Sequence, residues 1–316
     1  MSKKLILIDG HAIIHRAYHA LPVLTNRTGQ QTNAVYGFVS MLLRVISELK
    51  PTHFAVTFDL PIPTFRHEAY IAYQAHRPPM EEDLSSQIEL VHEVVKSSGL
   101  PAYTSERFEA DDVIGTLAKQ AGKQKGTNVV IVTGDRDILQ LVNKKVKVYT
   151  PIRGISEARL FDEKEVKEYM GVKPSQIVDY KALIGDSSDN YPGVPGVGPK
   201  TATTLLEKYK TLERIYEALG SKGWTMGDNV AGKLKDGRES AFLSQDLAKI
   251  RTDAPVKLNL KKAKLPDLAK NEKFIEKLQE FGFRSLITRI SGKDQPVSTK
   301  VSPRQGKKDN GQMGLI

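Results

Sequence analysis

Short β-branched runs that alternate with helical patterns, and the aspartates that end those runs, constrain this chain more than any other feature. Lys4 to Asp9, His53 to Asp59, Asn128 to Thr133 and Val146 to Thr150 read as strands. Helical patterns lie between them: Gly37 to Leu49, then Leu84, Ile88, Val91 and Val95, and a third from Glu109 through Val113, Ile114, Leu117 and Ala118. The alternation predicts an α/β fold, a mostly parallel central sheet flanked by helices. Ligands of such sheets sit outside the carboxyl ends of the strands. Asp9, Asp59, and Asp135 with Asp137 stand there. An aspartate after a strand also starts turns and caps helices, which explains one such residue easily and three less easily.

Further acids gather in two motifs. Glu109, Asp111 and Asp112 form Glu-Ala-Asp-Asp at a helix start, and Asp186 and Asp189 lie in Gly-Asp-Ser-Ser-Asp-Asn. Each has an ordinary reading, as favourable charge at a helix N-terminus or as a polar loop after a helix capped by Gly185. Together they point to metal binding, because close carboxylates raise each other's pKa unless a cation lies among them. Oxygen ligands with no histidine or cysteine nearby select magnesium or manganese over zinc. Two such ions about 3.5–4 Å apart can activate a water and stabilise the leaving oxygen of a phosphodiester.

The texture changes near Pro174. Helical stretches at Ser175 to Ile184, Lys200 to Tyr209 and Leu212 to Leu219 are joined by glycine- and proline-rich turns, with more helix expected around Ser240 to Ile250 and Glu272 to Phe281. We therefore expect a core over 1–173, a helical subdomain over 174–290, and a disordered basic tail over 291–316. Within the second unit, Gly193, Gly196 and Gly198 form a glycine hairpin that opens a helix, with Lys200 and Thr201 in its first turn. Glycines allow close backbone approach to a phosphate, and the helix start presents free N–H groups. A helix-hairpin-helix for duplex DNA is one reading, and a plain helical connection is the other. A third segment, Pro63 to Pro79, mixes Arg66, Tyr70, Tyr73, His76 and Arg77, which suits a single strand or an ordinary surface helix.

The formal net charge of +10 fits a polyanionic partner. Cysteine is absent, so disulfides and thiolate metal sites are excluded and a reducing cytoplasm, with the nucleoid in it, is the expected setting. No apolar run approaches bilayer length, and Asp9 interrupts the first one, so neither a membrane span nor a signal-peptide core is expected.

Taken in order, these residues resemble the 5′ nuclease (flap endonuclease) family, and within it the N-terminal domains of bacterial DNA polymerase I. The matching stretches are Ile8 to His11, Asn33 to Phe38, Phe65 to Glu68, Glu109 to Asp112, Thr133 to Asp137 and Gly185 to Ala202, across roughly residues 4 to 290. The resemblance implies a PIN-like core, a helical arch over about 60–82 that admits a 5′ single strand, and a helix-3-turn-helix unit. It implies two divalent ions, one among Asp9, Asp59, Glu109 and Asp111, the other among Asp135, Asp137, Asp186 and Asp189, with Asp111 near both and Asp112 in support. It also implies a potassium ion on carbonyls near Val194 and Val197, and Arg16 and Asn33 near the branch point. The implied activity is 5′-3′ exonuclease and flap cleavage of branched, flapped or nicked DNA, by a monomer, in replication and repair.

One residue departs from the family pattern. Gln74 stands where the family has a lysine aimed at the scissile phosphate, and glutamine brings no charge. Arg77 or Arg66 would then supply it, with Tyr73 beside them. The rival expectations are a DNA-junction binding protein with weakened catalysis and, disfavoured by the glycine hairpin, a small ribonuclease of a related acidic-site fold. At the end of the chain, Gln312, Leu315 and Ile316 fall in a pentapeptide that resembles the motif by which bacterial replication proteins dock on the sliding clamp.

Overall fold

The structure is a computed structural model that describes residues 2–153 and 157–292. Six strands, β1 (Lys3–Asp9), β2 (His53–Thr57), β3 (Ala102–Tyr103), β4 (Thr127–Val132), β5 (Val146–Arg153) and β6 (Glu157–Phe161), form one sheet in the order β3-β2-β1-β4-β5-β6. Neighbours pair in parallel except β5 with β6. Side chains alternate across a strand, and central β1 shows the consequence. Its Leu5 and Leu7 join one buried cluster, and its Ile6 and Ile8 join another on the opposite face.

The helices of the first half are α1 (Gly10–Ala20), α2 (Asn33–Leu49), α3 (Phe65–Ala69), α4 (Glu82–Ser98), α5 (Ala110–Gly122) and α6 (Glu163–Met170). The Ile6 face carries residues of α1, α2 and α4, and the Leu5 face carries α5 through Val113, Ile114 and Leu117. The helix α1 was not anticipated. Its start is set by Asp9, whose Oδ1 accepts the Ala12 N–H at 3.0 Å, so one residue both ends a strand and caps a helix. Edge strand β6 was missed too, because Glu157-Ala158-Arg159-Leu160 is polar enough to read as loop.

The expected helical arch takes another form. Only Phe65–Ala69 is helical between Asp59 and Glu82, and Tyr70 to Arg77 follow as a series of tight turns. Pro61, Pro63, Pro78 and Pro79 bracket the segment and withhold donors from any longer helix. Gln74 itself sits at φ 55°, in left-handed space that interrupts a right-handed helix.

The second half supplies α7 (Ile177–Ile184), α8 (Pro199–Tyr209), α9 (Leu212–Ala218), α10 (Asp228–Asp236), α11 (Arg238–Ala248), α12 (Glu272–Glu280) and α13 (Arg284–Ile290). From Arg251 the chain returns to the sheet. It runs along α5, where Ala254 donates to Thr116 and Leu258 to Gln120. It then bonds across β2, with Phe54 N–H to the Ala263 carbonyl at 2.7 Å. Phe274, Leu278 and Leu286 complete the core on the α4 face, each such burial contributing roughly 1.5–3 kcal/mol. Among the described residues no helix is long and apolar enough to cross a membrane. Gln312, Leu315 and Ile316 lie outside the described residues.

Candidate active site

The carboxyl ends of β1, β2 and β4 converge, and the acids expected there come with them. Asp9 is buried; its Oδ2 accepts from the Thr133 hydroxyl at 2.8 Å, and the same hydroxyl accepts the Asp135 N–H at 3.0 Å. Asp59 receives the Ala110 N–H of α5 at 2.7 Å. Asp111, one residue into α5, feels Asp135, Asp9 and Asp59 together. Burial first, and these like charges second, hold Asp111 well above the carboxylate range. Burial and then Asp59 push Asp9 up to about 7. Glu109 also reaches about 7 by burial, although Arg66 opposes it.

A histidine stands among these acids, contrary to the oxygen-only expectation. His11 Nδ1 is 3.4 Å from Asp59 Oδ2, but it accepts the Asp59 N–H at 3.1 Å, and burial lowers its pKa. The ring is therefore a neutral acceptor at Nδ1 and no ion-pair partner for Asp59.

A second group forms where Asp137 meets the loop after α7. Ligand oxygens of Asp137, Asp186 and Asp189 lie within 4.8 Å of one another. Here a protein cation is present. Lys181 of α7, its side chain 12% exposed, pairs with both Asp137 and Asp186. Burial would raise Asp186, but Lys181 outweighs it and holds the group below its ordinary value. Asp137 is buried more deeply and stays at about 7 despite the same partner. The reading of the sequence passed over Lys181. Its signal was a lysine among Tyr180, Ala182 and Leu183, on a short helix that otherwise buries its side chains.

The segment expected to arch over the site is fastened to Asp189. Gln74 Nε2 donates to Asp189 Oδ1 at 3.1 Å, Arg77 to the same oxygen at 2.6 Å, and the Gln74 N–H to the Asp189 carbonyl at 3.0 Å. The Tyr73 hydroxyl lies 3.3 Å from Glu109 and 3.4 Å from Asp189, and so links the two acid groups. Burial pushes its pKa up, which keeps it a neutral donor.

Several assignments change. Arg66 was expected to offer charge to a phosphate, but it is 2% exposed and fully engaged. It binds both oxygens of Asp112 at 2.7 and 2.9 Å, and donates to the carbonyls of Leu247 and Lys249. Asp112 was counted with the metal ligands, yet its oxygens are spent on Arg66, on the Glu109 N–H and on the Arg251 N–H. The pair ties α3, α5 and the returning chain together. Asn33, expected near DNA, is buried: it donates to the Tyr18 carbonyl and accepts from Gln87. Arg16 does face the site, in a surface cleft with His15, Gly134 and Asp135.

Gly193 to Gly198 form the hairpin between α7 and α8. Gly193, at φ 63°, has no room for a side chain, because a Cβ there would lie 2.2 Å from the Gly185 nitrogen. Pro199 opens α8, with Lys200 exposed and Thr201 half-buried behind it. Val194 and Val197 are buried, the Val194 carbonyl accepts the Val197 N–H, and the Lys233 ammonium sits on the neighbouring Gly196 carbonyl at 3.1 Å.

Carboxylates collected at the rim of a parallel sheet, with a glycine hairpin beside them, set the chain among the acidic-site nucleases. The family follows from its residues. Residues 4–171 match the model described as 5′-3′ exonuclease, N-terminal resolvase-like domain, and 172–271 match 5′-3′ exonuclease, C-terminal SAM fold. The chain belongs to the 5′-3′ exonuclease family. It is 42% identical over 307 residues to DNA polymerase I of Bacillus caldotenax, covering 96% of this chain and 34% of that protein. With DNA polymerase I of Bacillus subtilis (strain 168) it shares 39% over 288 residues, 91% of this chain and 32% of that one. The chain thus spans about a third of the length of these relatives. In fold it is similar to bacteriophage T5 5′-exonuclease with bound zinc ions, at a TM-score of 0.67 and 19% identity over 91% of this chain and 100% of that one. The catalytic core of Rad2 in complex with DNA substrate gives 0.57 and 15% over 92% and 93%.

Proposed function

We propose that this chain is a structure-specific 5′ nuclease that hydrolyses DNA phosphodiesters where a 5′ single strand meets a duplex, using two divalent ions. The observation that carries the reading is the buried acid set itself. Asp9, Asp111 and Glu109 are held far from their ordinary ionisation by burial and by the carboxylates around them, an arrangement that suits a bound cation. All-carboxylate donors fit magnesium or manganese. Asp9, Asp59, Asp111 and Glu109 would hold one ion and Asp137, Asp186 and Asp189 the other, while Asp135, expected in the second set, acts on Asp9, Asp111 and Asp137 alike and would stand between the two. When bound, the ions supply Lewis acidity toward a water and toward the leaving oxygen.

The protein's own groups prepare that site. Thr133 fixes the spacing of Asp9 and Asp135, and Lys181 keeps Asp186 ionised. Tyr73, Gln74 and Arg77 set the arch segment against Asp189, where a strand passing beneath it would meet the acids. Lys200 and the start of α8 would grip the duplex backbone without reading its sequence. The competing account is a junction-binding protein with weakened catalysis, favoured by Gln74 at the place of the family lysine. Labelled 5′-flap and nicked duplex, incubated with and without magnesium, decide between them. Magnesium-dependent release of the flap is expected; binding without cleavage at any magnesium or manganese concentration would leave only the rival.

A further inference from the structure

Between the acid set and the glycine hairpin lies a cation–aromatic platform that the roles above leave unused. Arg136 stands between Asp135 and Asp137, exposed, and forms no ion pair among the described residues. Its guanidinium lies 5.6 Å from the ring centroid of Tyr169, in the last turn of α6. Arg159 of β6 lies 5.9 Å from the same ring and 5.0 Å from that of Phe161. The two rings touch each other, with centroids 5.2 Å apart. Phe161 is buried and anchors the stack, whereas Tyr169 is 43% exposed. One residue beyond α6, Gly171 abuts Thr203 of α8, where a Cβ would meet Thr203 Cγ2 at 3.6 Å. The platform therefore bridges from the acid set to the helix that the hairpin opens.

Stacking on a ring face orients a guanidinium without consuming its N–H donors. Those donors stay available to solvent-side partners, in the fork geometry that suits phosphate oxygens. Arg159 donates part of its fork to Glu165 at 2.7 Å, which fixes it as the backing member. Arg136 keeps its donors. We propose that Arg136, seated on Tyr169 and backed by Arg159, is a phosphate clamp for the duplex arm between the cleavage point and the hairpin. The proposal rests on the nuclease reading and adds a contact to it.

The test is the affinity of the full chain for a flapped duplex and for a 5′ single strand, with calcium in place of magnesium. Arg136→Ala and Tyr169→Ala should each weaken duplex binding by about three- to tenfold and lower the salt slope by about one. Tyr169→Phe should bind as the parent does, and single-strand affinity should hold throughout. Because Arg136 adjoins Asp135 and Asp137, the manganese-induced rise in melting temperature is measured in parallel and should be unchanged. Parental affinity and slope in both alanine variants would overturn the clamp. So would a lost manganese response in both, which would assign the effect to the acids. If the parent itself fails to bind flapped duplex, the nuclease reading falls, a result distinct from either.

Discussion

The two acid groups of the site differ in what neutralises them. Asp9 and Asp111 face other carboxylates, and burial together with that repulsion raises both. Asp186 and Asp189 face Lys181, Gln74 and Arg77, and Asp186 is held below its ordinary value. In the first group, an added cation would favour the ionised forms of Asp9 and Asp111. The second already has protein cations, and an arriving metal ion must share its oxygens with them. On the two-ion proposal, the contrast predicts tighter divalent binding at the first group and an adjustable site at the second.

The largest expected effect breaks the first group. Asp111→Asn should lower flap cleavage by more than about 100-fold, the upper range for an outer-shell ligand partner, while flap binding in calcium persists. It should also raise the metal-free melting temperature at pH 8, because one repelling charge is gone. The pH profile checks the same physics. Asp9, Glu109 and Asp137 titrate at about 7 in the fold and near 4 when unfolded, so the folded chain binds more protons between those values. Metal-free stability should then fall as pH rises across that window, with the loss complete above about 7. Magnesium should restore more at pH 8 than at pH 5. A metal-free melting temperature that climbs over this range would contradict the raised state of these three acids, two in the first group and Asp137 in the second.

Next in size is Arg66→Ala, which strands buried Asp112 beside Glu109 and should cost about 3–5 kcal/mol in urea unfolding. Arg66→Met with Asp112→Leu should recover most of that loss, since a buried pair contributes little net stability. If the double variant is as unstable as the single one, the pair does more than tie three segments together. Lys181→Met probes the second group. Removing its internal cation should lower the manganese concentration at half-saturation by up to about tenfold and reduce the metal-free melting temperature. An unchanged titration would mean that Lys181 leaves when the ion arrives.

What the sequence made legible, and what it hid, divides along the same physical line. Strand-ending aspartates were visible because β-branched runs mark strands and their carboxyl ends face one rim of the sheet. Depth was not visible. Arg66 and Asn33 look like surface polar residues in sequence, and only the end of α11 and the packing of α4 bury them. Lys181 was hidden for the converse reason, as a charge on an apolar helix whose partners come from two separate loops. The helical arch came from the family resemblance and not from the residues, whose prolines at both ends leave helix only at Phe65–Ala69.

The smallest expected effect concerns Gln74, where the comparison can be sharpened most. Its side chain donates to Asp189 at 3.1 Å, beside Arg77 at 2.6 Å on the same oxygen. A lysine there would have two places to put its charge. In the metal-free chain it would join Arg77 on Asp189 and make the second group still less hospitable to a divalent ion. With DNA and metal bound, it would turn to the scissile phosphate, where charge develops in the transition state. Gln74→Lys should therefore raise the half-saturating magnesium concentration and also raise turnover on flaps at saturating magnesium, each by less than about tenfold. Duplex affinity in calcium should hold, since neither change touches the hairpin. Turnover measured across a magnesium titration separates the two effects. A rate that stays flat at saturation would show that Arg77, released from Asp189, already supplies the charge, and that the glutamine costs this site nothing.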